Sequence, residues 1–338
     1  MSSSENILVV RDLTVGFDTE QGRLVAVDGV SFSVAKGRAL GIVGESGSGK
    51  SVTSLSLMRL LPQPAGKILG GEILFQGRDL TRLSLHEMRK VRGNGMSMVF
   101  QEPMTALNPL HRIGRQLREV LELHTDLTSR EIDERCLDLL RKVGIPAPEQ
   151  RLGEYPHQLS GGMRQRVVIA MALACNPELI ICDEPTTALD VTIQAQILEL
   201  LASLRAELRM AVILITHDLG VIAENCDEVA VMYAGRIVER APVRELFANP
   251  LHAYTQALLR AIPRADSARK SRMETIEGLV PSLAELRPGC RFAPRSGRPY
   301  TQADLDERPP FAEVSPGHWV EASRVCVDAS VRAAAGIR

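Results

Sequence analysis

Apolar positions recur along this chain with two periods, and the alternation between them predicts the fold. Residues 7–10 and 13–15 read as one strand, and Val30-Ser31-Phe32-Ser33-Val34 alternates apolar and polar side chains as a half-buried strand does. Ala39-Leu40-Gly41-Ile42-Val43 is a short buried run; a helix begins at Ser51 and is expected to stop at Pro62 and Pro64. Residues 70–77 read as a strand ending in a turn, and Met96-Ser97-Met98-Val99-Phe100 as the next. From 113 to 143 the period becomes helical. Leu117, Val120, Leu121 and His124 share one face, Ile132, Cys136, Leu139, Leu140 and Val143 the next, and Thr128 with Glu131 is a candidate capping box. A third apolar helix is expected at 163–174, then buried strands at 179–182 and 211–216. Strands interleaved with helices predict an α/β fold, with a mixed sheet and an inserted helical region at about 103–172. From Pro263 the pattern changes. Eight of the 19 prolines fall in the last 76 residues and the periodic runs shorten, so 263–338 reads as an irregular appendage.

Composition narrows the function classes. A chain of 338 residues buries a full core with room for a smaller second unit, at about 150 residues per domain. The hydrophobic fraction of 45%, the charged fraction of 24% and the net charge of −1 carry no broad basic footprint, so nucleic acid is not an expected partner. The polar N-terminus lacks a basic region followed by an apolar one, and the longest apolar run, 167–175, is short of the roughly 18 residues of a spanning helix. A cytosolic chain that meets a membrane through a partner is the expectation. Six cysteines, well spread and without a CxxC pair, suggest neither a zinc knuckle nor a disulfide framework.

Chemistry concentrates at Gly44-Glu45-Ser46-Gly47-Ser48-Gly49-Lys50-Ser51, which matches GxxxxGK[ST] between a predicted strand and helix. Glycines let successive amides turn inward around a β-phosphate, Lys50 reaches the β and γ oxygens, and the Ser51 hydroxyl suits Mg²⁺. The helix N-terminus behind them favours anions. Phe17, expected on a loop between the first two strands, is a candidate to stack on a purine, although a lone Phe is more often core. Gln101 stands at the end of a strand, where its carbonyl oxygen suits Mg²⁺ or an attacking water; a surface glutamine there is otherwise unremarked. Leu159-Ser160-Gly161-Gly162 is expected to form a turn before an apolar helix, a second anion-facing N-terminus.

That run resembles the signature of ATP-binding cassette (ABC) proteins, in which two cassettes face each other and each signature caps the other's ATP. The resemblance spans roughly 7–263 and rests on further motifs in family order. Asp183-Glu184 after the apolar run 179–182 resembles Walker B, Asp190 the D-loop and His217 the switch histidine. It implies that Asp183, with Ser51 and Gln101, holds Mg²⁺, and that Glu184 polarises the attacking water with help from His217 and Gln101. Met163 departs from the glutamine most often found there, just past the glycines. The wording of residues 41–46, 103–109, 189–192 and 250–255 looks like the oligopeptide/dipeptide importer branch.

The family therefore implies an ATPase cassette at 1–262 that dimerises on ATP to energise a membrane importer, most simply for peptides. The implied partners are a second, homologous cassette in a heterodimer, two transmembrane permeases and an extracytoplasmic solute-binding protein, with this chain peripheral on the cytoplasmic face. Nickel, glutathione or another solute stays open as cargo, as does a ribosome- or DNA-associated ABC ATPase. In some branch members a Gly-Cys-x-Phe-x-Pro-Arg-Cys tail with two further cysteines ligates an iron–sulfur cluster. Here Ser296 replaces the second cysteine and only Cys326 follows Cys290, so no cluster is expected.

Overall fold

A computed structural model describes residues 6–20, 22–102, 106–187, 189–262 and 276–337. In chain order the strands begin with β1 (Asn6–Thr19), β2 (Gly22–Ala35) and β3 (Ala39–Val43), followed by helix α1 (Lys50–Leu57), β4 (Gly66–Phe75), β5 (Arg78–Asp79), α2 (Leu85–Val91) and β6 (Met96–Val99). Helices α3 (Ile113–His124), α4 (Ser129–Lys142), α5 (Pro148–Arg151) and α6 (Gly161–Ala172) come next, then β7 (Leu179–Asp183), α7 (Val191–Leu208), β8 (Ala211–Thr216) and α8 (Leu219–Asn225). The chain continues through β9 (Glu228–Tyr233), β10 (Arg236–Pro242), α9 (Val243–Ala248), α10 (Ala253–Arg260), α11 (Gln302–Asp306), β11 (Phe311–Ser315), β12 (His318–Glu321) and α12 (Ala329–Ala334).

Two compact units share these elements. The first holds Met1–Leu8, Ser33–Ala39 and Leu74–Ile215. Its sheet is parallel, with β7 between β6 and β8 in registers Met98↔Ile181 and Ile181↔Ile213. Every residue of β7 and β8 is buried, which is why both read as unbroken apolar runs instead of alternating ones. Helices α3 and α4 of this unit pack through one stripe each: Ile113, Leu117 and Leu121 of α3, and Ile132, Cys136, Leu139 and Leu140 of α4. The capping box of α4 is present, with Thr128 Oγ1 accepting from the Glu131 N–H and the Glu131 carboxylate accepting from the Thr128 N–H. Of the importer-like wording at 103–109, Pro103, Met104 and Thr105 lie outside the described residues.

The second unit holds Val9–Phe32, Leu40–Ile73 and Thr216–Arg338. Strand β3 runs parallel to β9, and β9, β10, β12 and β11 continue antiparallel to one another, making the sheet mixed. The residues after Pro263, expected to be irregular, thus contribute two strands, and β12 extends the ladder of β10 through Glu239↔Val320 and Arg240↔Trp319. Residues 263–275 lie outside the described set, while 276–301 hold turns and one short 3₁₀ segment.

Three smaller expectations change. Phe17 lies inside β1 instead of on a loop, because the strand runs on to Thr19. Helix α1 ends at Leu57, well before Pro62 and Pro64; Arg59 at φ 50° turns the chain first. Gly161 and Gly162 form the first turn of α6 instead of preceding it.

Candidate functional site: a phosphate loop and a carboxylate held from two sides

In the second unit β3 delivers the chain directly into Gly44–Ser51. Gly44 is required by space: a Cβ there would sit 2.1 Å from the Met232 carbonyl oxygen. Gly49, at φ 100°, is the N-cap of α1 and supplies no side-chain cap, so the amides of the first turn keep the orientation that suits an anion. Lys50 is 5% exposed, and its ammonium donates to the Gly44 carbonyl at 2.7 Å and the Glu45 carbonyl at 3.0 Å. The loop is further fixed where the Ser48 carbonyl accepts from the Gly235 N–H at 2.8 Å. Ser48 is buried, Ser46 is exposed, and a Cβ on Gly47 would meet open space. Ser51 is in the first turn of α1. The donor set of ammonium, hydroxyl and helix-terminal amides fits a polyphosphate. Phe17 is half-buried near Gly66, and His217 is exposed between β8 and α8.

The first unit gathers the carboxylates. Asp183 ends β7 and is 5% exposed. Glu184 follows in a left-handed conformation, φ 46°, its N–H bonded to the Ile215 carbonyl at 2.9 Å. A non-glycine residue held there stores strain of about 1 kcal/mol or more, a feature that clusters at functional sites. One carboxylate oxygen of Glu184 receives two donors: Gln101 Nε2 at 3.2 Å and Thr187 Oγ1 at 2.9 Å. Sequence reasoning named Gln101 and Glu184 but missed Thr187, whose spacing of three from Glu184 is its only signal. The oxygens of Asp183 and Gln101 are hard donors of the kind Mg²⁺ takes.

Also in this unit, Ser160 caps α6, its Oγ accepting from the Met163 N–H at 3.3 Å, and Asp190 caps α7 by accepting from the Ile193 N–H at 3.0 Å. The two capped ends touch. A Cβ on Gly161 would lie 3.6 Å from Leu189 Cδ2, and one on Gly162 would lie 2.8 Å from Ile193 Cγ2. Leu159, 2% exposed, anchors the approach to α6. Ala188, between Thr187 and Leu189, lies outside the described residues.

Comparison with known proteins defines the class first. The ABC transporter family matches residues 27–187, and the family described as the oligopeptide/dipeptide transporter C-terminal region matches residues 238–303. Among solved structures, the dimeric ATP-binding cassette MJ0796 bound to ADP and Pi superposes with a TM-score of 0.63 at 28% identity, over 70% of this chain and 99% of that one. The cassette cbiO1 from Clostridium perfringens gives 0.61 at 29% identity, over 72% and 92%. Curated relatives narrow it further. The "Probable peptide ABC transporter ATP-binding protein y4tR" of Sinorhizobium fredii is 54% identical over 313 residues, covering 92% of this chain and 93% of that protein. The "Oligopeptide transport ATP-binding protein OppD" of Bacillus subtilis is 50% identical over 315 residues, covering 93% and 88%. The chain belongs to the ABC transporter family, as an ATP-binding, ATP-hydrolysing subunit of its oligopeptide/dipeptide branch. No helix among the described residues is long and apolar enough to cross a membrane.

Proposed function

We propose that this chain powers import of peptides by binding and hydrolysing Mg·ATP in a pair of cassettes docked on membrane permeases. The observation that carries the chemistry is Glu184, held in a strained conformation with Gln101 and Thr187 both donating to one of its oxygens. The Glu184 carboxylate is assigned to a water proton; the two donors keep the side chain from rotating away. Mg²⁺, when bound with ATP, supplies charge neutralisation at the phosphates, and Ser51, Asp183 and Gln101 are assigned to hold it. Lys50 and the amides from Gly44 to Ser51 take the phosphates, Phe17 the base, and His217 the γ-phosphate side of the site. Ser160 with Leu159, Gly161 and Gly162 is assigned to a partner cassette's nucleotide, and Asp190 to signalling between cassettes, supported by the contact of the two capped helix ends. We assign the surrounding assembly as a heterodimer with a homologous ATPase, two permeases and a solute-binding protein, on the cytoplasmic face, with residues 1–262 as the cassette and 263–338 as its tail.

The test uses the full complex, co-expressed with its neighbouring permeases and reconstituted in vesicles. Uptake of labelled di- and oligopeptides should require ATP. Glu184→Gln should lower ATP turnover at least 100-fold while ATP still binds. Unchanged turnover removes Glu184 from its role, and ATP-driven uptake of nickel or glutathione but not peptides overturns the cargo.

A further inference from the structure

Glu45 poses a problem for a loop that takes a polyanion. It places a carboxylate at the second position of the phosphate loop, and it is only partly exposed. Its carboxylate is met by one side chain from 250 residues away: Arg295 donates from Nη1 to Oε2 at 2.7 Å and from Nη2 to Oε1 at 3.0 Å, a bidentate pair. The Arg295 side chain is 7% exposed, and its remaining capacity goes to the carbonyls of Glu277 at 2.9 Å and Gly278 at 3.1 Å and to Tyr233 Oη at 3.3 Å. Its guanidinium carbon also stands 5.7 Å from the centre of the Tyr233 ring. The backbone of Glu45 is held as well, since its N–H donates to Tyr254 Oη at 2.9 Å. Tyr254, Tyr233 and Phe292 form one aromatic cluster with centroids 4.7 to 5.2 Å apart, so the grip is rigid. Arg295, Phe292 and Tyr254 all lie in the stretch 238–303 that matches the oligopeptide/dipeptide C-terminal region. All of these contacts are within the second unit.

We propose that Arg295 is a positioning residue for ATP: it neutralises the Glu45 carboxylate and, with Tyr254, holds it off the phosphates, so that the C-terminal tail sets the nucleotide affinity of the loop. Without Arg295 the carboxylate is an unpaired anion free to swing toward the phosphates, and ATP should suffer more than ADP because it carries more charge. The effect is on binding. Arg295 acts through Glu45 and is assigned no part in the chemical step.

The inference rests on the reading that Gly44–Ser51 takes the phosphates, and the experiment separates the two. Equilibrium binding of Mg·ATP and Mg·ADP, and KM and kcat for ATP hydrolysis, are measured in the full complex for wild type, Lys50→Ala, Arg295→Met, Arg295→Lys, Tyr254→Phe, Glu45→Gln and the double variant Arg295→Met with Glu45→Gln. Arg295→Met should raise Kd and KM for ATP about tenfold or more with kcat within threefold. Arg295→Lys, which keeps the charge but not the fork, should fall between. The decisive variant is the double one: removing the carboxylate should return the ATP Kd to within threefold of wild type, and Glu45→Gln alone should stay in that range. Wild-type affinity in folded Arg295→Met, or a double variant as weak as the single, overturns the positioning role. Where Arg295→Met fails to fold, Arg295→Lys and Tyr254→Phe decide: wild-type ATP affinity in both overturns the proposal, and a raised ATP Kd that Glu45→Gln corrects in the lysine background supports it. Lys50→Ala binding ATP as wild type would instead overturn the assignment of the loop itself.

Discussion

Removing the Asp28 carboxylate should loosen the second unit more than removal of any surface acid. Asp28, on β2, accepts from Arg236 Nε and Nη2 at 3.0 and 2.8 Å, from Arg291 Nη2 at 2.6 Å and from Arg308 Nη1 at 2.9 Å. Arg236 and Arg291 are 5% and 8% exposed, so Asp28→Ala leaves two buried cations without their main counter-charge. Breaking one partner of a buried ion pair costs about 3–5 kcal/mol. The arginines keep part of their bonding, Arg236 to the carbonyls of Gly289 and Pro288 and Arg291 to that of Ala234, which moves the expected loss to the low end, about 3 kcal/mol. At roughly 2 °C per kcal/mol for a chain of this size, the melting temperature should fall by about 6 °C. Arg308→Met, at a 50% exposed partner, should cost about 1 kcal/mol or less. The acid limb provides a second reading. Burial pushes the Asp28 carboxyl up, but Arg236, Arg291 and Arg308 outweigh it and hold it below the usual carboxylate range. Its folded value lies below the unfolded one of about 3.9, so its stabilisation is full above that pH and lost as pH falls through the folded value. The difference in melting temperature between wild type and Asp28→Asn, followed by circular dichroism, should therefore be constant from pH 8 to about 5 and shrink in stronger acid. A variant that melts within 1 °C of wild type at pH 7 would refute the clamp.

Three further outcomes follow from local geometry. Thr128→Ala removes the cap of α4 and should cost about 1 kcal/mol, read as roughly fivefold faster hydrogen exchange at the Glu131 amide, with exchange in α7 unchanged. Gly44→Ala places a Cβ against the Met232 carbonyl and should destabilise more than Gly47→Ala, which has open space and only the strain of φ 78°, about 1 kcal/mol; equal melting temperatures would show that the loop moves freely. Anaerobically purified protein should carry no stoichiometric iron and no absorbance band near about 400 nm, because Ser296 Oγ donates to the Ala293 carbonyl and Cys290 has Cys326 as its thiol neighbour, at 3.1 Å. Such a band would overturn the reading of the tail.

The elements legible in the sequence are those whose determinants are local. Strand β3 falls on the five residues the apolar run marks, and the α4 cap follows from a spacing of three between Thr128 and Glu131. Phe17 was misplaced because Gly16 and polar Asp18 and Thr19 follow Val15 and break the apolar pattern, whereas the strand continues to Thr19. Cys290 and Cys326 looked separate because 36 residues divide them, yet β12 and the turn after it bring the thiols together. The tail was read as an appendage for the same reason. Its prolines break local periods, and β11 is partly exposed, so neither period shows; β12 is made by pairing with β10, some 80 residues earlier in the chain, and β11 by pairing with β12 in turn.

What the sequence hides most thoroughly is arginine pairing at long range. Asp28 and Glu45 each stand in the first fifty residues, and the charges that fix them come from 263 and 250 residues later. Neither spacing nor composition marks Arg291 or Arg295 among the chain's 40 basic residues. Yet an acid on β2 and an acid on the phosphate loop each have a guanidinium of the same short segment as a counter-charge, four residues apart. Arg291 stands two residues before the 3₁₀ turn Ala293–Arg295 and Arg295 ends it, so one local turn sets the spacing of both clamps. A change in the tail that disturbed that turn would act on β2 and on the loop together. Stability and nucleotide affinity should therefore fall in parallel for tail substitutions that disturb the turn at 291–295, whereas Asp28→Ala should lower stability alone and Glu45→Gln should leave ATP affinity near that of wild type.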